Sequence, residues 1–231
     1  AGWATRSSVA RLFGEMKEKK AVGPLCEALK DKDADVRRSA AIALGEIRDS
    51  GSIKQLVSSL NDENEDLAVR LAAAEALSKF PAPDSLAGHT WLLGMGDDKQ
   101  KAASEEVLKA AGPGALDPLL TAMSTGYRTV RPAAATALGY VNDSRAVDPL
   151  MTAMDSEDWR LRGAAAKALG MLRATKARQL LVRGAKDDEW TVREASILAL
   201  GRIRNRDDMP LITASLRDPE AQVRAATIRA L

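Results

Sequence analysis

Asp33-Ala34-Asp35-Val36-Arg37-Arg38-Ser39-Ala40-Ala41-Ile42-Ala43-Leu44-Gly45-Glu46-Ile47 decides the fold, because it recurs along the chain. Trp159-Arg160-Leu161-Arg162-Gly163-Ala164-Ala165-Ala166-Lys167-Ala168-Leu169-Gly170 repeats it, as does Trp190-Thr191-Val192-Arg193-Glu194-Ala195-Ser196-Ile197-Leu198-Ala199-Leu200-Gly201. Val130-Arg131 opens a further copy that closes at Leu138-Gly139, and Val223-Arg224 opens one that runs to Leu231. From Val130 to Leu161, Val192 and Val223 the step is 31 residues each time. Val36 to Val69 is 33 residues, and the 61 from Val69 to Val130 leave room for one degenerate copy around Lys101 to Leu108. At the front, Trp3-Ala4-Thr5-Arg6 falls in register with Trp159-Arg160-Leu161-Arg162. A fixed period of this length marks an array of small supersecondary units rather than one globular core.

Each unit reads as two helices. In the first, Val36, Ala40, Ala43, Leu44 and Ile47 recur at helical spacing. Asp31, Asp33 and Asp35 supply N-cap and first-turn charge. The glycine near its end (Gly45, Gly139, Gly170, Gly201) is expected to leave the helix with positive φ. A short turn follows, then a second helix such as Ala146 to Met154, with Pro149 near its start, where a missing N–H costs little. Neither helix buries its apolar stripe alone, so units stack. The expectation is an all-α, right-handed α-solenoid of about seven such units forming one array over 1–231. The units run approximately 1–30, 31–60, 61–94, 95–123, 124–154, 155–185 and 186–216, with a partial one at 217–231. The chain opens inside a first helix and stops inside another without polar closing units, which reads as a portion of a longer array.

The pattern D-x-x-V-R-x-x-A-A-x-A-L-G-x-I, followed by A-V-x-P-L, resembles the HEAT superfamily. More narrowly it is similar to the HEAT-like repeats named after phycobilisome (bilin) lyases. The resemblance covers essentially the whole chain and implies the solenoid fold. It implies little about activity, since one fold hosts many functions.

Composition narrows the classes. Hydrophobic residues make up 45% and aromatics only 3%, so the core is Ala, Leu, Val and Ile. Lys plus Arg (34) nearly balances Asp plus Glu (32), which argues against a polyanion as the main target. The single cysteine, Cys26, excludes a disulfide framework within the chain and a cysteine zinc cluster. No apolar run approaches the roughly 20 residues of a membrane helix. A soluble protein of the reducing cytoplasm is the expectation, with no cofactor.

Three sets of residues are candidates for function. Arg6, Arg37, Arg70, Arg131, Arg162, Arg193 and Arg224 share one repeat position, with Lys101 in the degenerate unit; Asp49, Asp84, Asp143 and Asp207 recur in the turns. The shared period favours a structural ladder, each Arg reaching a turn Asp or a carbonyl of a neighbouring unit, over a stripe for phosphates. Trp3, Trp159 and Trp190 share another position and form a secondary edge for partner contact or loop packing. The second helices line the concave face in this family. Their outward positions include Trp91, Asp117, Thr121, Asp148, Thr152, Gln179 and Arg183, a small and polar surface with an acidic centre. An insertion leaves the third unit's register open, so Trp91 is read either outward or inward.

His89, the only histidine, falls where other units place a core leucine and reads as structural; Cys26 reads as an inert buried thiol. The iron-dependent deoxyhypusine hydroxylases share this repeat and rely on His-Glu pairs, of which this chain has none. No G-x-G-x-x-G, P-loop or G-x-S-x-G segment is present. The leading expectation is therefore a non-catalytic scaffold that binds a protein, or another domain of its own chain, on its concave face. A bilin lyase or lyase-like chaperone subunit is the alternative, and a nucleic-acid-binding HEAT-like protein the second.

Overall fold

The computed structural model describes residues 2–62 and 64–231, and among them it contains helices and turns without a strand. The first helices of the units are α1 (Trp3–Glu15), α3 (Ala34–Ile47), α5 (Leu67–Ser78), α7 (Asp98–Ala111), α9 (Val130–Val141), α11 (Trp159–Met171), α13 (Trp190–Ile203) and α15 (Ala221–Ala230). The second helices are α2 (Val22–Ala28), α4 (Ile53–Asn61), α6 (Leu86–Met95), α8 (Leu116–Thr125), α10 (Val147–Ala153), α12 (Arg178–Gly184) and α14 (Met209–Ala214). Contacts gather these helices into two compact units, one of residues 1–111 with 124–130, the other of 112–123 with 131–231.

Local chemistry sets the helix ends. Asp33, Asp66 and Asp158 each accept a hydrogen bond from the N–H two residues on, capping α3, α5 and α11. A single turn of 3-10 helix separates the two helices of most units. Asp49 and Asp143 open two of these turns, accepting from Gly51 N and Arg145 N. Asn205 opens a third, accepting from Asp207 N. Asp49 and Asp143 of the acidic turn column are thus caps, and the residue at their position in the later unit is Asn205 rather than Asp207.

The repeated glycines do something other than end helices. Gly45, Gly139, Gly170 and Gly201 lie inside their helices, and the positive-φ residues come three positions later: Arg48, Asn142, Arg173 and Arg204, with Lys17 in the first unit. A Cβ on Gly170 would lie 2.6 Å from Ala199 Cα, on Gly45 2.7 Å from Ala76 Cα, and on Gly14 2.8 Å from Ala43 Cα. Real Cβ atoms do not approach so closely. Successive first helices therefore meet backbone to backbone, glycine of one against alanine of the next, and the aromatic-poor composition follows. This is the physical correction to the helix-terminating role expected from sequence.

The core of each unit is Leu and Val framed by alanine. In the first, Val36, Leu44, Leu56, Leu60, Val69 and Leu77 are buried; in the second, Leu138, Leu150, Leu161, Leu169, Leu181 and Leu200 are. Burial of each such side chain contributes about 1.5–3 kcal/mol before the entropy of ordering is subtracted. α6 departs from this pattern. Its Gly88 faces α5 so closely that a Cβ would come within 2.7 Å of Ser78 N. That approach seats Trp91 inside the first unit with only 2% of its surface exposed, its ring 4.2 Å beneath the Arg70 guanidinium.

Candidate functional site

The arginine column is a clamp between loops. The Arg6, Arg37, Arg162 and Arg193 side chains donate to Asp31 (2.7 Å), Glu65 (2.7 Å), Asp187 (2.8 Å) and Asp218 (2.8 Å), each in the loop leading to the next first helix. The same side chains also reach back. Arg37 Nη1 donates to Asp31 O at 2.7 Å, Arg162 Nη1 to Ser156 O at 2.9 Å, and Arg193 Nη1 to Asp187 O at 3.0 Å. Arg224 donates to Asp218 O, while Arg70 Nε and Arg131 Nε take the carbonyls of Leu60 and Met123. The expected ladder is present, but its carboxylates come from the loops between repeats and not from Asp49, Asp84, Asp143 or Asp207. Spacing alone could not distinguish these columns, since both share the period.

The clamp shifts the carboxylates it holds. The Arg6 guanidinium and the Asp33 N–H pull Asp31 down to about 2. Arg193 likewise lowers Asp218. Burial pushes Asp187 upward, yet Arg162 and the Glu189 N–H together outweigh it and the carboxyl stays below its usual range. Bidentate guanidinium–carboxylate geometry of this kind favours the charged pair strongly.

On the second helices, Asp117 and Thr121 of α8, Asp148 and Thr152 of α10, and Gln179 and Arg183 of α12 are all exposed. These six belong to the second compact unit. Trp91 does not join them, because its burial in the first unit removes it from any surface. The acidic centre is also less acidic than its composition suggests. Lys176 Nζ donates to Asp148 at 2.6 Å, and Arg183 Nη2 to Asp155 at 2.6 Å, so charges pair between neighbouring repeats. Thr152 Oγ1 turns to the Asp148 carbonyl at 3.2 Å. The result is a row of small polar groups over an ion-paired lattice. Beside it lies a notch of about 300 Å³ lined by Asp155, Arg162, Arg183 and Asp187, where the row meets the clamp. The first unit has a counterpart of about 410 Å³ lined by Cys26, Arg37, Gln55 and Glu65.

The tryptophan edge is uneven. Trp3 is 51% exposed, whereas Trp159 and Trp190 are half-buried. Arg160 stacks on Trp159 at 4.3 Å, and Trp159 with Gly163, Lys167, Pro132 and Thr191 lines a shallow depression of about 380 Å³. Cys26 is buried, and burial pushes its thiol upward. His89 is half-buried with Nδ1 3.1 Å from Ser104 Oγ, and burial lowers its pKa.

Among solved structures, human deoxyhypusine hydroxylase in complex with glycerol is 24% identical with a TM-score of 0.42, covering 91% of this chain and 83% of that one. An engineered protein is 20% identical with a TM-score of 0.49, covering 91% and 94%. Kap95p, solved with RanGDP, is 15% identical with a TM-score of 0.48, covering 97% of this chain and 36% of that one. No curated protein matches. The family model of HEAT repeats matches residues 2–78, 116–189 and 153–231, on the helices whose glycine–alanine contacts and arginine clamps were described above. The chain belongs to the HEAT repeat family.

Proposed function

We propose that this protein is a non-catalytic interaction module that binds a protein partner, or another domain of its own chain, along the second-helix face of its second unit. One observation carries the reading: the column arginines Arg162 and Arg193 are committed to loop carboxylates, and Asp117, Thr121, Thr152 and Gln179 form an exposed polar row on the second helices. Small polar groups held by a scaffold suit hydrogen-bonded docking of a protein surface, with the Asp148–Lys176 and Asp155–Arg183 pairs as its charged rim. The narrower likeness to phycobilisome-lyase repeats rests on the quoted motif, and would make the same face part of a tetrapyrrole-holding subunit.

The test is affinity capture from source lysate by the parent and by an Asp117→Lys, Asp148→Lys, Arg183→Glu variant, with circular dichroism confirming that both are folded. A protein retained by the parent, lost from the variant, and then shown by calorimetry to bind the parent at least about tenfold more tightly supports the reading. Equal retention by both rejects the face. Co-purification of visible-absorbing tetrapyrrole would transfer the face to the lyase reading, and co-purified nucleic acid would replace both.

A further inference from the structure

The second unit carries a second charged surface at the opposite end of its first helices. Arg162, Arg193 and Arg178 are committed to carboxylates, and Arg131 and Arg224 to backbone carbonyls. Arg173, Arg202, Arg204 and Arg206 are exposed, and among the described residues their side chains form no ion pair or hydrogen bond. Arg173 and Arg204 occupy the same repeat position, each in the left-handed region (φ 48° and 59°) just past α11 and α13. Those two helices are in glycine–alanine contact, since a Gly170 Cβ would meet Ala199 Cα at 2.6 Å. Arg202 lies in the last turn of α13 and Arg206 opens the 3-10 turn that follows. A single cation at each helix end would suffice to offset the helix dipole. Four solvent arginines exceed that need.

We propose that this turn edge, formed by Arg173, Arg202, Arg204 and Arg206, docks an extended acidic protein segment with a carboxylate on about every third residue. The spacing supports it. Packed helices lie about 8–10 Å apart, so equivalent cations recur at about that interval, and every third residue of a polyproline II segment returns to the same face at about 9 Å. Guanidinium groups bind carboxylates bidentately, and such pairs order an otherwise flexible segment. The near balance of Lys plus Arg (34) with Asp plus Glu (32) disfavours a nucleic-acid strand as the occupant. Nor do 171–180 or 200–210 contain an aromatic residue on which bases could stack. At the equivalent position of the preceding repeat stands Asn142, also left-handed at φ 56°, which marks where the basic strip ends.

The surface is distinct from the second-helix face, so the two readings fail separately. A fluorescein-labelled peptide of about fifteen residues, with Glu at every third position spaced by Pro so that it holds the polyproline II form, is titrated with the intact protein and followed by anisotropy. Saturable binding that weakens with salt, and falls at least about tenfold in Arg173→Asn, Arg204→Asn, is the expected result. Asparagine keeps the backbone geometry, as Asn142 demonstrates. Arg202→Gln, Arg206→Gln, on ordinary helical backbone, provides a second variant should the first lose its circular dichroism signal. Thr121→Ala, Thr152→Ala, which alters the second-helix face without changing charge, leaves the peptide affinity within about twofold. Absence of saturable binding to the parent overturns the proposal. So does unchanged affinity in the folded arginine variants, or tighter binding of an oligothymidylate of equal length.

Discussion

Asp31 joins two structural roles in one carboxylate: it accepts the Arg6 guanidinium and the Asp33 N–H, and is held at about 2. Its folded pKa lies below the unfolded value of about 3.9. The stabilisation is therefore complete above about pH 4 and is lost as pH falls through about 2. Asp187 and Asp218 shift in the same direction. Urea unfolding midpoints should hold steady from pH 7 to about 5, then fall progressively below about 4, and Asp31→Asn should flatten that fall while lowering the neutral-pH midpoint. A midpoint in the parent that rises on acidification would contradict the clamp. The residue scale is also where sequence reading went furthest astray. Arg37 and Arg162 were recognisable from their spacing, but their partners Glu65 and Asp187 were not. The carboxylates stand 28 and 25 residues downstream, because the intervening second helices α4 and α12 differ in length, nine residues against seven. Trp91 was ambiguous for the same kind of reason: the extra residues of the third unit shift the register, and only Gly88 lying against α5 settles that the indole points inward.

For a helix pair, the decisive contact is glycine against alanine. Ordinary helix propensity makes Ala better than Gly by about 1 kcal/mol in a helix interior. At Gly170 the sign should reverse, because the added methyl would stand 2.6 Å from Ala199 Cα and force backbone apart. Gly170→Ala is expected to destabilise by about 1–3 kcal/mol, read as a lower urea midpoint with unchanged slope. A stabilised variant would show that α11 and α13 do not meet as described. In α6 the corresponding element-scale prediction concerns Trp91. Trp91→Ala should cost about 3–5 kcal/mol, and Trp91→Phe much less, as judged by thermal melts. Helix existence and order were legible from the Val-Arg and Leu-Gly spacings, since periodic apolar stripes leave few alternatives. The true role of the glycines was not, because a helix end and a close helix crossing both call for a residue without a side chain.

Across the molecule, stabilising contacts run mainly between neighbours in sequence order: α1 with α3, α3 with α5, α11 with α13, α13 with α15. Stability is then close to a sum over adjacent interfaces rather than a property of one shared core. Gly14→Ala should lower amide-exchange protection in α1 and α3 while leaving α11 and α13 at parental values, measurable by hydrogen exchange with mass spectrometry. Uniform loss throughout would instead indicate a single cooperative block.

The same glycine–alanine seat recurs where Gly139 meets Ala168 and Gly170 meets Ala199, and that makes the array a chain of interchangeable cassettes. Excising 155–185 would join Met154 to Lys186 and keep four residues ahead of Trp190, as four now precede Trp159. Gly139 would then find Ala199 waiting where Ala168 had been. Length in such a protein is a copy number, free to change by whole units while the joints stay the same.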